Sequence, residues 1–334
     1  MNRSVSICKQ TTYCHVLSFL LLLLVFTACF AGCTKNTAPY TKTGFYFDTV
    51  ISITVYSPKD RDALEQCFAL ASHYEALLSR TREGSDIYRI NHSGGAPVTV
   101  DPDTAYVLQK ALQYAALTDG RIDPTIGAVS ELWNFHESET PALPDPAMLR
   151  EALAHVDYTK LLVENTTVTL SDPDAVIDLG FIAKGFIADK MKEALKARGV
   201  ESALINLGGN VLTLGSKPDH TAFTIGVRDP FQEEGSYLTT LSVTDQSVVS
   251  SGIYERCFVI NGKNYHHILD PDTGYPVEND LAGVTILSDS SLEGDALSTT
   301  CMVLGYDEAS SLIHSLDQAE AVFVTTDGEI HTTF

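Results

Sequence analysis

The chain has 334 residues, 44% of them hydrophobic and 19% charged, which is material for one large or two ordinary domains and not the composition of a disordered polymer. Its formal net charge of -21 repels nucleic acid and anionic lipid, so a polyanionic ligand has to be held locally by backbone amides, a lysine or a metal ion. Seven cysteines with no C-x-x-C pair exclude a disulfide framework and the common zinc and redox sites.

Arg3 and Lys9 precede an uncharged run from Val16 to Phe26 that continues through small residues to Cys33. A positive start, an apolar centre and small residues before a cysteine make a secretory signal. Phe30-Ala31-Gly32-Cys33 is similar to a bacterial lipobox, and Cys29 is a weaker second lipidation site. Residues 1–32 are therefore expected to be a lipoprotein signal, 33–44 a tether and 45–334 the folded domain, anchored by lipid at Cys33 on the extracytoplasmic face of the cell membrane. An uncleaved anchor is the competing reading, because the uncharged stretch from Tyr13 to Cys33 approaches the ~20 apolar residues of a spanning helix.

From Phe45 to Tyr56, Ile51, Ile53 and Val55 alternate with Ser52, Thr54 and Tyr56, the period of a half-buried strand. Leu64, Phe68, Ala71, Tyr74 and Leu78 recur at three to four residues and predict an amphipathic helix over 60–78. A second helix, 102–118, opens at Asp101-Pro102 and closes at Asp119-Gly120. Strands are expected at 161–163, 167–170 and 175–179, then a helix at 183–197 ending before Gly199. Further strands follow at 203–206, 221–227, 237–243, 247–250, 257–260 and 281–287, then helices at 294–304 and 307–316 and a hairpin over 319–332. Strands in adjacent runs with helices between them predict an α+β fold of mixed and antiparallel sheets with packed helices. The proline-rich loop Thr140 to Pro146 is the best internal seam.

No G-x-G-x-x-G, Walker A or H-E-x-x-H motif occurs. The segment Ile177-Asp178-Leu179-Gly180-Phe181-Ile182-Ala183-Lys184-Gly185 reads strand, glycine turn, helix start. Amides at a helix N-terminus bind phosphate oxygens, Lys184 adds a full charge there, and Asp178 is free to accept from a ligand's ring or sugar. Taken singly, a plain turn with a solvated lysine explains it as well. Asp295 and Thr299 are four apart and share a helix face as a hard oxygen pair suited to Mg²⁺, unless Asp295 only caps the helix. The loop Asp119 to Gly127, with Trp133 soon after, either covers a planar ligand or ends a helix. Asn206-Leu207-Gly208-Gly209-Asn210 offers close backbone approach or a β-bulge. Finally, His266-His267-Ile268-Leu269-Asp270-Pro271-Asp272-Thr273-Gly274-Tyr275-Pro276 brings two imidazoles to a turn stiffened by prolines, either a preorganised site or an ordinary turn with two surface histidines.

Six ordered motifs then stand together: Asp119-Gly-x-x-Asp123-Pro124-Thr125, Asp178-Leu-Gly-x-Ile-Ala-Lys184-Gly185, Asn206-Leu-Gly208-Gly209-Asn210, Ser251-Gly252-x-Tyr254-Glu255-Arg256, His267-Ile-Leu-Asp270-Pro271-x-Thr273-Gly274-x-Pro276 and Asp295-Ala-x-x-Thr299. The set resembles the FAD:protein FMN transferases, the ApbE-like flavin transferases, from about Phe45 to Gly305. The resemblance implies an ApbE-like fold and an enzyme that cleaves the pyrophosphate of FAD, releases AMP, and leaves FMN on a Thr or Ser hydroxyl of an exported or membrane redox protein. It implies Mg²⁺ held by Asp295, Thr299 and the Phe181 carbonyl, and FAD contacts from Phe47, Asp178, Lys184 and Ile268. It also implies a flavin-nucleotide cradle at Asp123, Pro124 and Thr125. His267 is the expected base for the hydroxyl proton, since an imidazole titrates near neutrality.

Two positions depart from the family pattern. Thr81 stands where many members carry a tyrosine, and some relatives lacking that aromatic hydrolyse FAD to FMN and AMP, so a Mg²⁺-dependent FAD pyrophosphatase is the alternative enzyme. Phe181 is bulkier than the small residue usual there, which matters little if only its carbonyl is used. A flavin-binding lipoprotein without catalysis is the alternative outside enzymes.

Overall fold

The computed structural model describes residues 38–135, 141–233 and 235–334, so the lipobox-like segment with Cys29 and Cys33 lies outside the described residues. Strands β1 (Tyr40–Tyr46) and β2 (Thr49–Val55) form an antiparallel hairpin around Phe47 and Asp48, at φ 53° and 55°. Two successive left-handed residues make the tight turn that matches strand twist. With no glycine at that turn, the sequence pattern reads as one strand from Phe45; the structure divides it. β1 also takes up residues 40–44 of the expected tether, and the folded unit runs from Pro39 to Phe334.

Helix α1 (Ala63–Leu78) buries Leu64, Phe68, Ala71, Tyr74 and Leu78, as their spacing requires. After α2 (Asp86–Asn91) and β3 (Val98–Thr99), α3 (Pro102–Leu117) starts where the Asp101 side chain accepts from the Asp103 N–H. It stops at Asp119 and Gly120, φ 52° and 84°. Helices α4 (Gly127–Trp133) and α5 (Pro146–Leu153) precede the hairpin of β4 (Leu161–Glu164) and β5 (Thr167–Leu170), which pairs with β3. The strand expected at 175–179 does not form. Only Val176 makes a bridge, to Ile126, because the Asn91 amide satisfies both the N–H of Ile177 (2.8 Å) and its carbonyl (3.2 Å).

From α6 (Ala183–Ala197) the chain runs through β6 (Ala203–Leu207), β7 (Asn210–Leu214), a ribbon of β8 (Phe223–Arg228) and β9 (Tyr237–Val243), and β10 (Ser247–Gly252). A hairpin of β11 (Cys257–Ile260) and β12 (Lys263–His266), then β13 (Leu281–Ser288), α7 (Ser291–Leu304), α8 (Tyr306–His314), β14 (Ala319–Thr325) and β15 (Ile330–Thr332) complete it. Eight strands form one antiparallel sheet in the order β1-β2-β6-β7-β10-β13-β14-β15. Ile51, Ile53, Ile205, Ile286 and Phe323 face the layer of α1, α6 and α7. Val248, Leu287 and Val322 point the other way, under Phe223, Val227, Leu241 and Val243 of the ribbon. Covered on both faces, β13 is buried along its whole length.

A satellite cluster packs Trp133 against Tyr265, Leu149 and Leu269, and the indole N–H donates to the Gly274 carbonyl at 2.7 Å. The proline-rich loop before α5 is no seam, since residues 39–334 form one unit. Among the described residues no helix is long and apolar enough to cross a membrane.

Candidate active site

The site is set by the crossing of α6 and α7. A Cβ on Gly185 would lie 2.1 Å from the Ser291 carbonyl oxygen, so glycine alone permits this approach. One turn further, Asp189 caps α7 from outside: it accepts from the N–H of Ser291 (2.8 Å), the N–H of Leu292 (3.0 Å) and the Ser290 hydroxyl (2.7 Å). Burial raises the pKa of Asp189, while these donors pull it down. The crossing drives Asp295, 3% exposed, against the first turn of α6. There the Gly185 N–H donates to its Oδ2 at 2.9 Å and Lys184 Nζ stands 3.7 Å from its Oδ1. Lys184 also donates to the Gly180 carbonyl at 3.1 Å. Thr299 follows one turn after Asp295, its Oγ1 3.4 Å from the Ser251 hydroxyl of β10, which bonds Ser298 at 2.8 Å.

These residues fit a magnesium ion. Oδ1 of a buried carboxylate has a cation near it but beyond hydrogen-bond length, and a threonine hydroxyl shares its helix face. The Phe181 carbonyl lies just before α6. Carboxylate, hydroxyl and main-chain carbonyl are the hard oxygens that Mg²⁺ takes.

The imidazoles sort by packing. His266 is a core residue, 4% exposed, whose Nε2 donates to the Val277 carbonyl at 3.2 Å; burial pushes its pKa down to about 4. His267 is half-buried with Nδ1 3.1 Å from the Glu255 carbonyl. Only a donor can face a carbonyl, so Nδ1 carries the proton and Nε2 keeps its lone pair. Burial first, then the charges of Arg256 and Lys184, push its pKa down to about 3, so His267 is neutral near pH 7. The turn after it is closed by Asp270 N–H to the Tyr275 carbonyl (2.8 Å) and by Gly274, φ 71°, N–H to the Asp270 carbonyl (2.7 Å). Ile268 is buried, and its carbonyl accepts from Val277.

Asp178 accepts from the Gly180 N–H at 2.8 Å and pairs with Arg80 at 3.5 Å. The Asp123, Pro124 and Thr125 side chains, expected to cradle the flavin nucleotide, are buried. Asp123 accepts from Thr125 N–H (2.7 Å), Thr125 hydroxyl (2.6 Å) and Tyr158 N–H (2.8 Å), while Thr125 accepts from Asp157 N–H (2.9 Å). Both side chains are thus engaged within their loop, which reaches the site through the Pro124 carbonyl, 2.8 Å from the Asp178 N–H. Phe47 lies in the β1–β2 turn instead of a strand, its N–H on Glu75 at 2.9 Å, and Thr81 is exposed. Gly208 and Gly209 form the β6–β7 turn and not a bulge.

Sequence reasoning gave Glu255 and Arg256 no role, although their motif was visible. Glu255 supplies the carbonyl that fixes His267, and its own buried carboxyl is pushed up in pKa by desolvation. The signal was two opposite charges, Glu255 and Arg256, with two residues between them and the Ser251-Gly252 strand end.

The family model described as the ApbE family matches residues 47–323, a span holding all of these groups. The chain is 35% identical to the FAD:protein FMN transferase of Treponema pallidum, covering 88% of this chain and 86% of that protein. It is 37% identical to the protein of the same name from Klebsiella pneumoniae, covering 87% and 90%. The crystal structure of the ApbE protein from Thermotoga maritima superposes with a TM-score of 0.81 at 32% identity, over 88% of this chain and 96% of that one. With the family model matched over residues 47–323 and relatives at 35% and 37% identity matched over 86% and 90% of their own length, the chain belongs to the ApbE family.

Proposed function

We propose that this protein is an FAD:protein FMN transferase that moves FMN from FAD to a Thr or Ser hydroxyl of an acceptor protein and releases AMP. The observation that carries the reading is His267: a neutral imidazole with Nδ1–H fixed on the Glu255 carbonyl, its Nε2 lone pair left unprotonated, near the charge of Lys184, which itself stands 3.7 Å from Asp295 Oδ1. Nε2 takes the proton of the acceptor hydroxyl while its oxygen forms a bond to the FMN-side phosphorus. The bond from that phosphorus to the bridging oxygen breaks, and AMP leaves with the electron pair. A hydroxyl becomes strongly acidic as its oxygen bonds to phosphorus, so a weakly basic imidazole suffices. Bound Mg²⁺ would neutralise pyrophosphate charge, with Asp295, Thr299 and the Phe181 carbonyl as its ligands. Asp178 and Lys184 orient the nucleotide.

Hydrolysis of FAD to FMN and AMP is the second reading, favoured by the exposed Thr81 in place of an aromatic. Anchoring through lipid at Cys33, on the extracytoplasmic face of the cell membrane, suits an exported or membrane redox protein as acceptor. Intact mass of the mature N-terminus tests it, and an unmodified peptide across residues 20–40 would remove it.

The deciding assay incubates the protein with FAD, Mg²⁺ and an acceptor bearing an FMN-binding domain, then reads flavin fluorescence on a denaturing gel. A fluorescent acceptor band supports transfer. AMP with free FMN and no band supports hydrolysis, and FAD bound without either product supports a binding protein.

A further inference from the structure

We infer that Arg256 is the residue that grips the diphosphate of FAD and sets it beside His267, an assignment that rests on the transferase reading only for the identity of the ligand. Arg256 ends the turn that leaves β10, where the Glu255 N–H reaches back to the Gly252 carbonyl at 3.4 Å. It adopts φ 43°, a left-handed conformation that a long side chain takes at some expense and that functional sites retain. The preceding carbonyl holds His267, so one short turn carries both the base's anchor and this guanidinium.

Two other cations near the site have anionic or carbonyl partners: Lys184 has the Gly180 carbonyl and Asp295, and Arg80 has Glu131 at 2.7 Å and Asp178 at 3.5 Å. Arg228 instead lies over the Tyr254 ring at 4.3 Å with its Nε unpartnered. Arg256 is half-buried and faces Asp178, Glu255, Asp48 and Asp295, yet among the described residues no carboxylate comes within the 4.0 Å of an ion pair. Burial lowers its pKa, the mark of a desolvated charge. A desolvated guanidinium without a close partner is unfavourable unless an anion completes it. Its five donors in a planar fork match phosphate oxygens two at a time. In FAD the diphosphate is the anionic part, so a cation next to His267 brings phosphorus to the base.

The test is calorimetric titration of the metal-free protein, in chelator, with FAD and with riboflavin, which lacks the diphosphate. Arg256→Gln is expected to weaken FAD binding by about 10–150-fold, the range of one charge-assisted contact, while riboflavin binding stays within about twofold. Arg256→Lys should recover part of the FAD affinity, as a point charge without the fork. Unchanged FAD affinity in Arg256→Gln, or the same loss for both flavins, would overturn the assignment; the second result would make Arg256 a structural residue. No acceptor and no turnover enter this measurement, so it stands or falls separately from the transferase reading.

Discussion

Replacing Gly185 with alanine sets two effects of opposite sign against each other. Helix propensity alone favours alanine in α6 by about 1 kcal/mol. The structure predicts the reverse, because the added Cβ would lie 2.1 Å from Ser291 O, 2.6 Å from Ser291 C and 2.7 Å from Leu292 Cα. All three are backbone atoms and cannot rotate aside. Relief requires α6 and α7 to part by about 1 Å, which stretches the 2.9 Å bond from Gly185 N–H to Asp295. Overpacking costs about 1–3 kcal/mol and a weakened hydrogen bond to a charge about 1.5–3 kcal/mol. Net of propensity, Gly185→Ala should destabilise by about 1.5–5 kcal/mol in urea unfolding and lower the affinity for Mg²⁺ in parallel. A variant as stable as the parent, or more so, would show that the crossing is loose and that Asp295 is not held by it.

His267→Ala should lower kcat for transfer by about 10²–10⁴-fold and leave FAD affinity within a few-fold, read by single-turnover AMP release and by titration. Because His267 stays neutral down to about pH 3, kcat/KM for FAD should show no acid limb from an imidazole between about pH 5 and 8; an inflection near 6.5 that vanishes in His267→Ala contradicts the buried, neutral base. Asp295→Asn keeps an acceptor for the Gly185 N–H but loses the charge, so Mg²⁺ affinity should fall about 100-fold; an unchanged calorimetric isotherm removes Asp295 from the metal site. His266 takes a proton near 6.5 when unfolded but only at about 4 when folded. The unfolded chain therefore binds more protons in that window, and stability falls as pH drops through it, by about 3 kcal/mol for this group. His266→Gln should lose less stability than the parent between pH 6.5 and 4 in urea titrations, and equal slopes would refute the assignment.

Long amphipathic helices were legible because their spacing and caps agree: α6 runs from Ala183 to Ala197, as its pattern and Gly199 require. The β1–β2 turn was not, since Phe47 and Asp48 adopt left-handed angles without a glycine to announce them. Nor was the loss of a strand at 175–179, where a distant amide, Asn91, replaces sheet pairing. Each site segment read alone had an ordinary explanation, and only their order along the chain pointed to one chemistry. What joins them is tertiary. Gly185 and Asp295 are 110 residues apart, and their contact depends on a missing Cβ that no local rule can place. His266 and His267 are indistinguishable as letters, and packing alone makes one a core residue and fixes the other by Nδ1 on the Glu255 carbonyl, the orientation the proposed base needs. Nor could the sequence show that the Asp123 and Thr125 side chains are held by the Tyr158 and Asp157 amides, 35 and 32 residues on.

The central claim is that the flavin phosphate goes to a protein hydroxyl through His267. Its most direct test is to measure, in one reaction with FAD, Mg²⁺ and acceptor, the ratio of AMP released to acceptor carrying FMN, with the modified residue located by peptide mass spectrometry. A ratio near one, an ester on a Thr or Ser, and loss of both products together in His267→Ala are expected. AMP formed in large excess over modified acceptor, or an undiminished rate in His267→Ala, would contradict it.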